Sequence, residues 1–142
     1  MENGSLKLIP YQSLFTNTQI VKVDGLGDFE AYVNRDSIPY AQQYGLENIS
    51  SILRGTLRMP GFCKAWNVFV KLGLTEDSYR LDTNYFSYQN FVEAYLPSTI
   101  KPQSISQRLA FFMDEQEDSA VMQKINWLGL LGNEKINIGH AT

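Results

Sequence analysis

Residues 18–34 read Thr18-Gln19-Ile20-Val21-Lys22-Val23-Asp24-Gly25-Leu26-Gly27-Asp28-Phe29-Glu30-Ala31-Tyr32-Val33-Asn34. Two runs, 18–24 and 28–34, alternate in character around Gly25-Leu26-Gly27. Period two sends Phe29, Ala31 and Val33 to one face and Glu30, Tyr32 and Asn34 to the other. Two glycines in three residues supply the positive φ that a tight turn needs. The stretch therefore predicts a β-hairpin, and with it an antiparallel component in the fold.

Upstream, residues 5–9 alternate briefly and predict a short strand ending at Pro10. Downstream, a helix is expected over 37–44, with Ser37 as N-cap, Pro39 in the first turn and Gly45 just past the end. Residues 50–59 read as a third strand of the sheet. A helix then runs from Pro60 to Leu72, with Phe62, Trp66, Phe69 and Leu72 on one face and Lys64, Asn67 and Lys71 on the other. Residues 87–96 and 104–113 are amphipathic. A last helix starts near Asp118 with the stripe Val121, Ile125, Leu128 and ends near Gly132. Strands first and helices after them give an α+β fold, an antiparallel or mixed sheet with helices packed on one face.

The 142 residues suit one domain, expected to span 1–142 as a whole. Eight Phe, eight Tyr and two Trp provide apolar surface for a core, and 19% charged residues is an ordinary globular share. A net charge of −3 with no basic stripe argues against a nucleic-acid partner. No apolar run is long enough for a membrane span, and no signal-peptide pattern opens the chain. The single cysteine, Cys63, excludes an internal disulfide and fits a reducing, cytoplasmic setting. One histidine and one cysteine do not make a zinc site, so no metal is expected. A nucleophilic triad would have to draw on His140, at the very end of the chain. Asp114, Glu115, Glu117 and Asp118 complement a helix N-terminus, and Cys63 reads as a packing residue. Gly25-Leu26-Gly27 lacks the strand–GxGxxG–helix context of a dinucleotide site.

Two places carry chemistry. On the 50–59 strand, Arg54, Thr56 and Arg58 share a face. Two guanidinium groups flanking a hydroxyl make either a carboxylate or phosphate receptor or a solvated strand face with salt bridges. Gly55 between them lets a backbone or a ligand come close. The second place is Asn34-Arg35-Asp36-Ser37, where a strand gives way to a helix. Arg35 there either points at a ligand or belongs to the turn, and Asp36 and Ser37 are capping residues.

Gly27-Asp28-Phe29-Glu30-Ala31-Tyr32-Val33-Asn34-Arg35-Asp36-Ser37-Ile38-Pro39-Tyr40 resembles the saccharopine dehydrogenase family, in which a Phe-Glu-Gly-Tyr-Pro-Asn-Arg-Asp-Ser stretch is typical. Tyr44-Gly45-Leu46, Leu53-Arg54-Gly55-Thr56-Leu57-Arg58, Pro60-Gly61-Phe62-Cys63, Leu72-Gly73-Leu74 and Trp127-Leu128-Gly129-Leu130 extend the resemblance in order. Ala31, Val33 and Met59 depart from the usual glycine, proline and tyrosine. Residues 75–118 match poorly and transfer nothing.

The resemblance implies an NAD- or NADP-dependent oxidoreductase of lysine metabolism, which transfers hydride between the nucleotide and the secondary amine of saccharopine. It implies that residues 1–142 are the second domain, which binds substrate and forms a homodimer, without the Rossmann domain that binds the nucleotide. Alone, that domain is expected to bind no cofactor and to be inactive. A non-catalytic dimerisation or small-ligand-binding module is the competing reading. Arg35 is implied as a contact to a substrate carboxylate. Arg54, Thr56 and Arg58 match the next substrate-binding motif, and no catalytic residue is implied.

Overall fold

A computed structural model describes residues 1–34, 36–78, 80–98 and 104–137. The chain forms two compact units, residues 1–64 and 65–142.

The first unit is built on the expected hairpin. Strands β1 (Gln19–Val23) and β2 (Gly27–Val33) pair antiparallel, and β3 (Gly55–Arg58) adds antiparallel to the other side of β2. The order β1-β2-β3 puts β2 in the middle. Gly25 and Gly27 take φ of 76° and 95°, as the turn requires. Glu30, Tyr32, Thr56 and Arg58 share one face, since Glu30 is opposite Arg58 and Tyr32 opposite Thr56. Tyr32 there meets the buried Phe15, ring centroids 4.9 Å apart.

Helix α1 (Pro39–Gln43) is shorter than predicted at its start. Asp36 Oδ1 accepts from Ile38 N at 3.1 Å, and Pro39 opens the first turn. Gly45 ends it with φ 65°, while Gly45 N donates to Gln42 O and Leu46 N to Ala41 O. These two bonds satisfy carbonyls that a helix end leaves open.

Two strand expectations need correction. Residues 5–9 form no strand, and Leu8 is 93% exposed. Alternation over five residues ending at a proline offers too few ladder bonds without a neighbouring strand. The strand at 50–59 is confined to 55–58. The preceding backbone is engaged elsewhere: Gly4 N donates to Ser50 O and Ile52 N to Met1 O.

Helix α2 (Phe62–Leu72) begins in the first unit and continues into the second. Its buried residues are Cys63, Asn67, Val68 and Leu72, and Trp66 is 38% exposed. The predicted face is thus rotated by about one residue, or about 100°. Helical spacing puts Trp66 and Phe69 on the inward face. They pack on each other edge to face at 5.2 Å, with Phe69 only partly buried.

In the second unit, Val68 and Leu72 join α3 (Tyr88–Tyr95), α4 (Ile105–Met113) and α5 (Ala120–Trp127) around one core. Val92, Leu109, Met122 and Ile125 are all but inaccessible. Each later helix starts at a serine. Ser87 and Ser104 form reciprocal capping boxes with Asn90 and Gln107, and Ser119 Oγ accepts from Met122 N. Val121 and Ile125 are buried as their spacing predicts, whereas Leu128 lies past the end of α5 and is half exposed.

Candidate functional site

A cavity of about 1100 Å³ lies in the first unit. Its wall includes Ala31, Asn34, Asp36, Ile38, Leu53 and Arg54. These come from the end of β2, the start of α1 and the segment just before β3.

Arg54 is a half-buried cation of this wall, which also carries Lys7 and the Met1 ammonium. Its Cζ sits 3.9 Å from the centroid of the Tyr40 ring. Tyr40 is the second residue of α1, so Pro39 and the Asp36 turn fix the platform on which the guanidinium rests. A guanidinium stacked on a ring keeps its in-plane N–H groups for another partner. Among the described residues no carboxylate forms an ion pair with Arg54. Backbone bonding continues past β3, because Asn34 N donates to Arg54 O at 2.8 Å. Thr56 Oγ1 donates to Asn34 Oδ1 at 2.7 Å.

Arg58 is four residues further along, about 13 Å of extended chain from Arg54. It is exposed, with Cζ 4.9 Å from the Phe62 ring. Thus Arg54 and Thr56 gather around Asn34, and Arg58 stands over the beginning of α2. Arg35 lies outside the described residues.

Opposite Arg58, the Glu30 carboxylate accepts from Gly61 N at 2.8 Å and Cys63 N at 2.9 Å. A negative group at the exposed N–H groups of a helix start is favourable both as acceptor and as charge. The same carboxylate shapes Cys63. Burial first, then the hydrogen bond and charge of Glu30, push the thiol up from 9.0 to about 11, against a smaller lowering by Arg58. At 1% exposure it is a packing residue with a protonated thiol, as the sequence suggests.

Gly55 is a steric necessity: a Cβ there would lie 2.7 Å from the Tyr32 carbonyl oxygen. The close approach is made by a neighbouring backbone. Among the described residues, no three His, Cys, Asp or Glu side chains gather to hold a metal ion, and no helix is long and apolar enough to cross a membrane.

Three residues of this region escape a reading by motif. Tyr40 as a stacking platform is signalled only by its place one residue after a helix-starting proline. Glu30 is an acid on a half-buried strand face, which calls for a partner. Asn34 opens the Asn-Arg-Asp-Ser stretch, where its charged neighbours draw attention from it.

The saccharopine dehydrogenase C-terminal domain family matches residues 1–137. Mitochondrial alpha-aminoadipic semialdehyde synthase of Rattus norvegicus is 34% identical over 113 residues, covering 77% of this chain and 12% of that protein. The NADP(+), L-glutamate-forming saccharopine dehydrogenase of Pyricularia oryzae is 30% identical over 122 residues, covering 76% of this chain and 25% of that protein. The apo structure of the L-Glu-forming saccharopine dehydrogenase of Saccharomyces cerevisiae superposes with a TM-score of 0.74 at 22% identity. That match covers 96% of this chain and 32% of the solved one, and it shows a shared fold. The chain thus spans between about an eighth and a third of these three proteins, and it belongs to the saccharopine dehydrogenase C-terminal domain family.

Proposed function

We propose that this chain is the substrate-binding and dimerisation domain of a longer NAD(P)-dependent oxidoreductase of lysine metabolism, acting on saccharopine. The observation that carries the reading is Arg54. It is a half-buried guanidinium braced on Tyr40, without a protein carboxylate as partner among the described residues, on the wall of a cavity of about 1100 Å³. Saccharopine bears three carboxylates, and a guanidinium fork is the side chain best matched to one of them. Relatives from Pyricularia oryzae and Saccharomyces cerevisiae bear the name saccharopine dehydrogenase, NADP(+), L-glutamate-forming, which supports the cofactor class of the longer protein. In this reading Arg35 also contacts a substrate carboxylate, and Thr56 acts through Asn34. The setting is the cytoplasm. Both units together, residues 1–142, form the substrate domain.

Hydride transfer needs the nicotinamide held against the reacting carbon, and orientation supplies much of the rate. That holding belongs to a nucleotide-binding domain outside these residues. The chain alone therefore binds substrate weakly and turns nothing over. Dimerisation draws on the sheet face that carries Val21, Phe29, Val33 and Leu57, four apolar residues none of which is fully buried.

The test is calorimetric titration of residues 1–142 with saccharopine, beside Arg54→Ala. The variant is expected to bind about 10- to 150-fold more weakly, the value of one charged hydrogen-bonded contact. Equal binding by both chains overturns the role of Arg54. Oxidation of saccharopine by the isolated chain, followed at the reduced-nicotinamide absorbance, overturns its assignment as a domain without its own nucleotide site.

A further inference from the structure

Residues 5–9 alternate in sequence yet form no strand, and they leave a hairpin turn. Glu2 N donates to Ser5 O at 2.9 Å and Ser5 N to Glu2 O at 3.0 Å, around Asn3 and Gly4 with φ of 48° and 77°. Positive φ at both central positions of a two-residue turn matches the twist of flanking strands. The first arm of this hairpin gives Leu6 no partner, because Met1 is committed to Ile52. Ile52 N donates to Met1 O at 3.0 Å, and the Met1 ammonium to Ile52 O at 3.2 Å. At the far end, Ser13 N donates to Pro10 O at 2.9 Å, and the turn Tyr11–Ser13 leads to the buried Phe15. Between these two anchors, the backbone groups of Leu6, Lys7, Leu8 and Ile9 have no hydrogen-bond partner among the described residues. Leu6 is 78% exposed and Leu8 93%. All four residues line the cavity of about 1100 Å³. That volume is above the range of about 300–1,000 Å³ usual for a small-molecule site.

We infer that residues 6–9 are an open sheet edge, which an extended segment of the longer protein completes by strand addition within this cavity. The inference rests on the reading of residues 1–142 as one domain of such a protein. The shared fold accounts for 32% of the solved relative, which leaves most of such a chain to supply the segment. Unpaired N–H and C=O groups in a row are what an added strand pairs with. The partner is therefore an extended backbone with apolar side chains on the face it shares with Leu6 and Leu8. It needs no acid for Lys7, whose Nζ has Glu2 Oε2 at 3.3 Å. A second copy of this edge fits poorly. Two-fold antiparallel pairing centred on Lys7 sets lysine opposite lysine. Centred on Leu8, it sets Pro10, which has no N–H, opposite Leu6. Centred on Leu6, it sets Gly4, whose N–H is given to Ser50 O, opposite Leu8.

The experiment compares amide hydrogen exchange at residues 6–9 in residues 1–142 and in the full-length product of the same gene, read by mass spectrometry at single residues. In residues 1–142 all four amides should exchange like those of an unfolded peptide. In the longer protein two of the four, alternating in sequence, should be slowed at least about 100-fold, because an edge bonds every second residue to its neighbour. Lys7→Pro and Leu8→Pro each delete one N–H, and one of the two deletes a bonded one. That variant of the longer protein should release the other slowed amide, while the β1–β2 ladder keeps its exchange rates. If it does not fold, the two unaltered chains decide alone. Equal exchange of the four amides in both proteins overturns the inference. So does slowing in residues 1–142 on addition of saccharopine, which makes the segment a ligand strap, or on raising the protein concentration alone, which makes it a self-pairing edge. In those cases the Arg54 site stands. A gene that encodes nothing beyond residues 1–142 overturns the longer protein and the inference together.

Discussion

Gly55 and Cys63 show how single positions are constrained by what surrounds them. The Tyr32 carbonyl occupies the space where a Gly55 side chain would begin, so Gly55→Ala forces β2 and β3 apart at their pairing. We expect it to cost about 1–3 kcal/mol, measured by urea unfolding. At Cys63 the folded protein holds the thiol neutral, with its pKa raised from 9.0 to about 11. A pKa raised in the folded state stabilises the fold below the unfolded value, and that contribution is lost as pH rises through the folded one. Stability should therefore fall between pH 9.0 and about 11, and Cys63→Ala should flatten that part of the profile in the same unfolding experiment. Thiol reagents should also react slowly with the native chain at neutral pH.

Elements depend on their ends. Ser104 accepts from Gln107 N, and Gln107 Oε1 returns the favour at Ser104 N. Ser104→Ala removes half of this box at the head of α4 and should cost about 1 kcal/mol of unfolding free energy. Glu30 does the same service for α2 from across the sheet. Glu30→Ala leaves the Gly61 and Cys63 N–H groups without their acceptor and should cost about 1–3 kcal/mol. The serines were legible because a cap is a local signal: residue type, then an amphipathic run. The hairpin was legible for the same reason, with its glycines and its alternation lying within 17 residues. What sequence did not disclose is non-local. Helical spacing puts Phe62, Trp66, Phe69 and Leu72 on one side of α2, and packing instead buries Cys63, Asn67, Val68 and Leu72. The strand at 55–58 is cut short by pairing of residues 50 and 52 with the first residues of the chain, which no window around them contains. Arg54 and Thr56 could be named from spacing. Tyr40 and Asn34, which give them something to act on, come from other segments.

At the scale of the molecule, the two units differ in how they resist opening. Phe15, Ala31 and Cys63 are the buried apolar side chains described in residues 1–64, whereas the helical unit encloses a contiguous cluster from Val68 to Ile125. Local opening free energy follows buried contacts. Amide hydrogens of α4 and α5 should therefore exchange more slowly than those of β1, by hydrogen exchange read by mass spectrometry. Leu109→Ala, which empties a fully enclosed position, should cost about 2–5 kcal/mol and remove much of that difference.

The hairpin tip also offers a practical opening. A Cβ built at Gly25 or Gly27 would meet nothing within 4 Å, and Leu26 between them is largely exposed. Exposed turn tips accept added chain without disturbing the backbone bonds on either side. An epitope or a fluorophore-bearing loop spliced in after Leu26 would thus leave the β1–β2 ladder paired. It would provide a handle for immobilising or tracking the protein by an interior attachment, with both chain ends left for fusion to other domains.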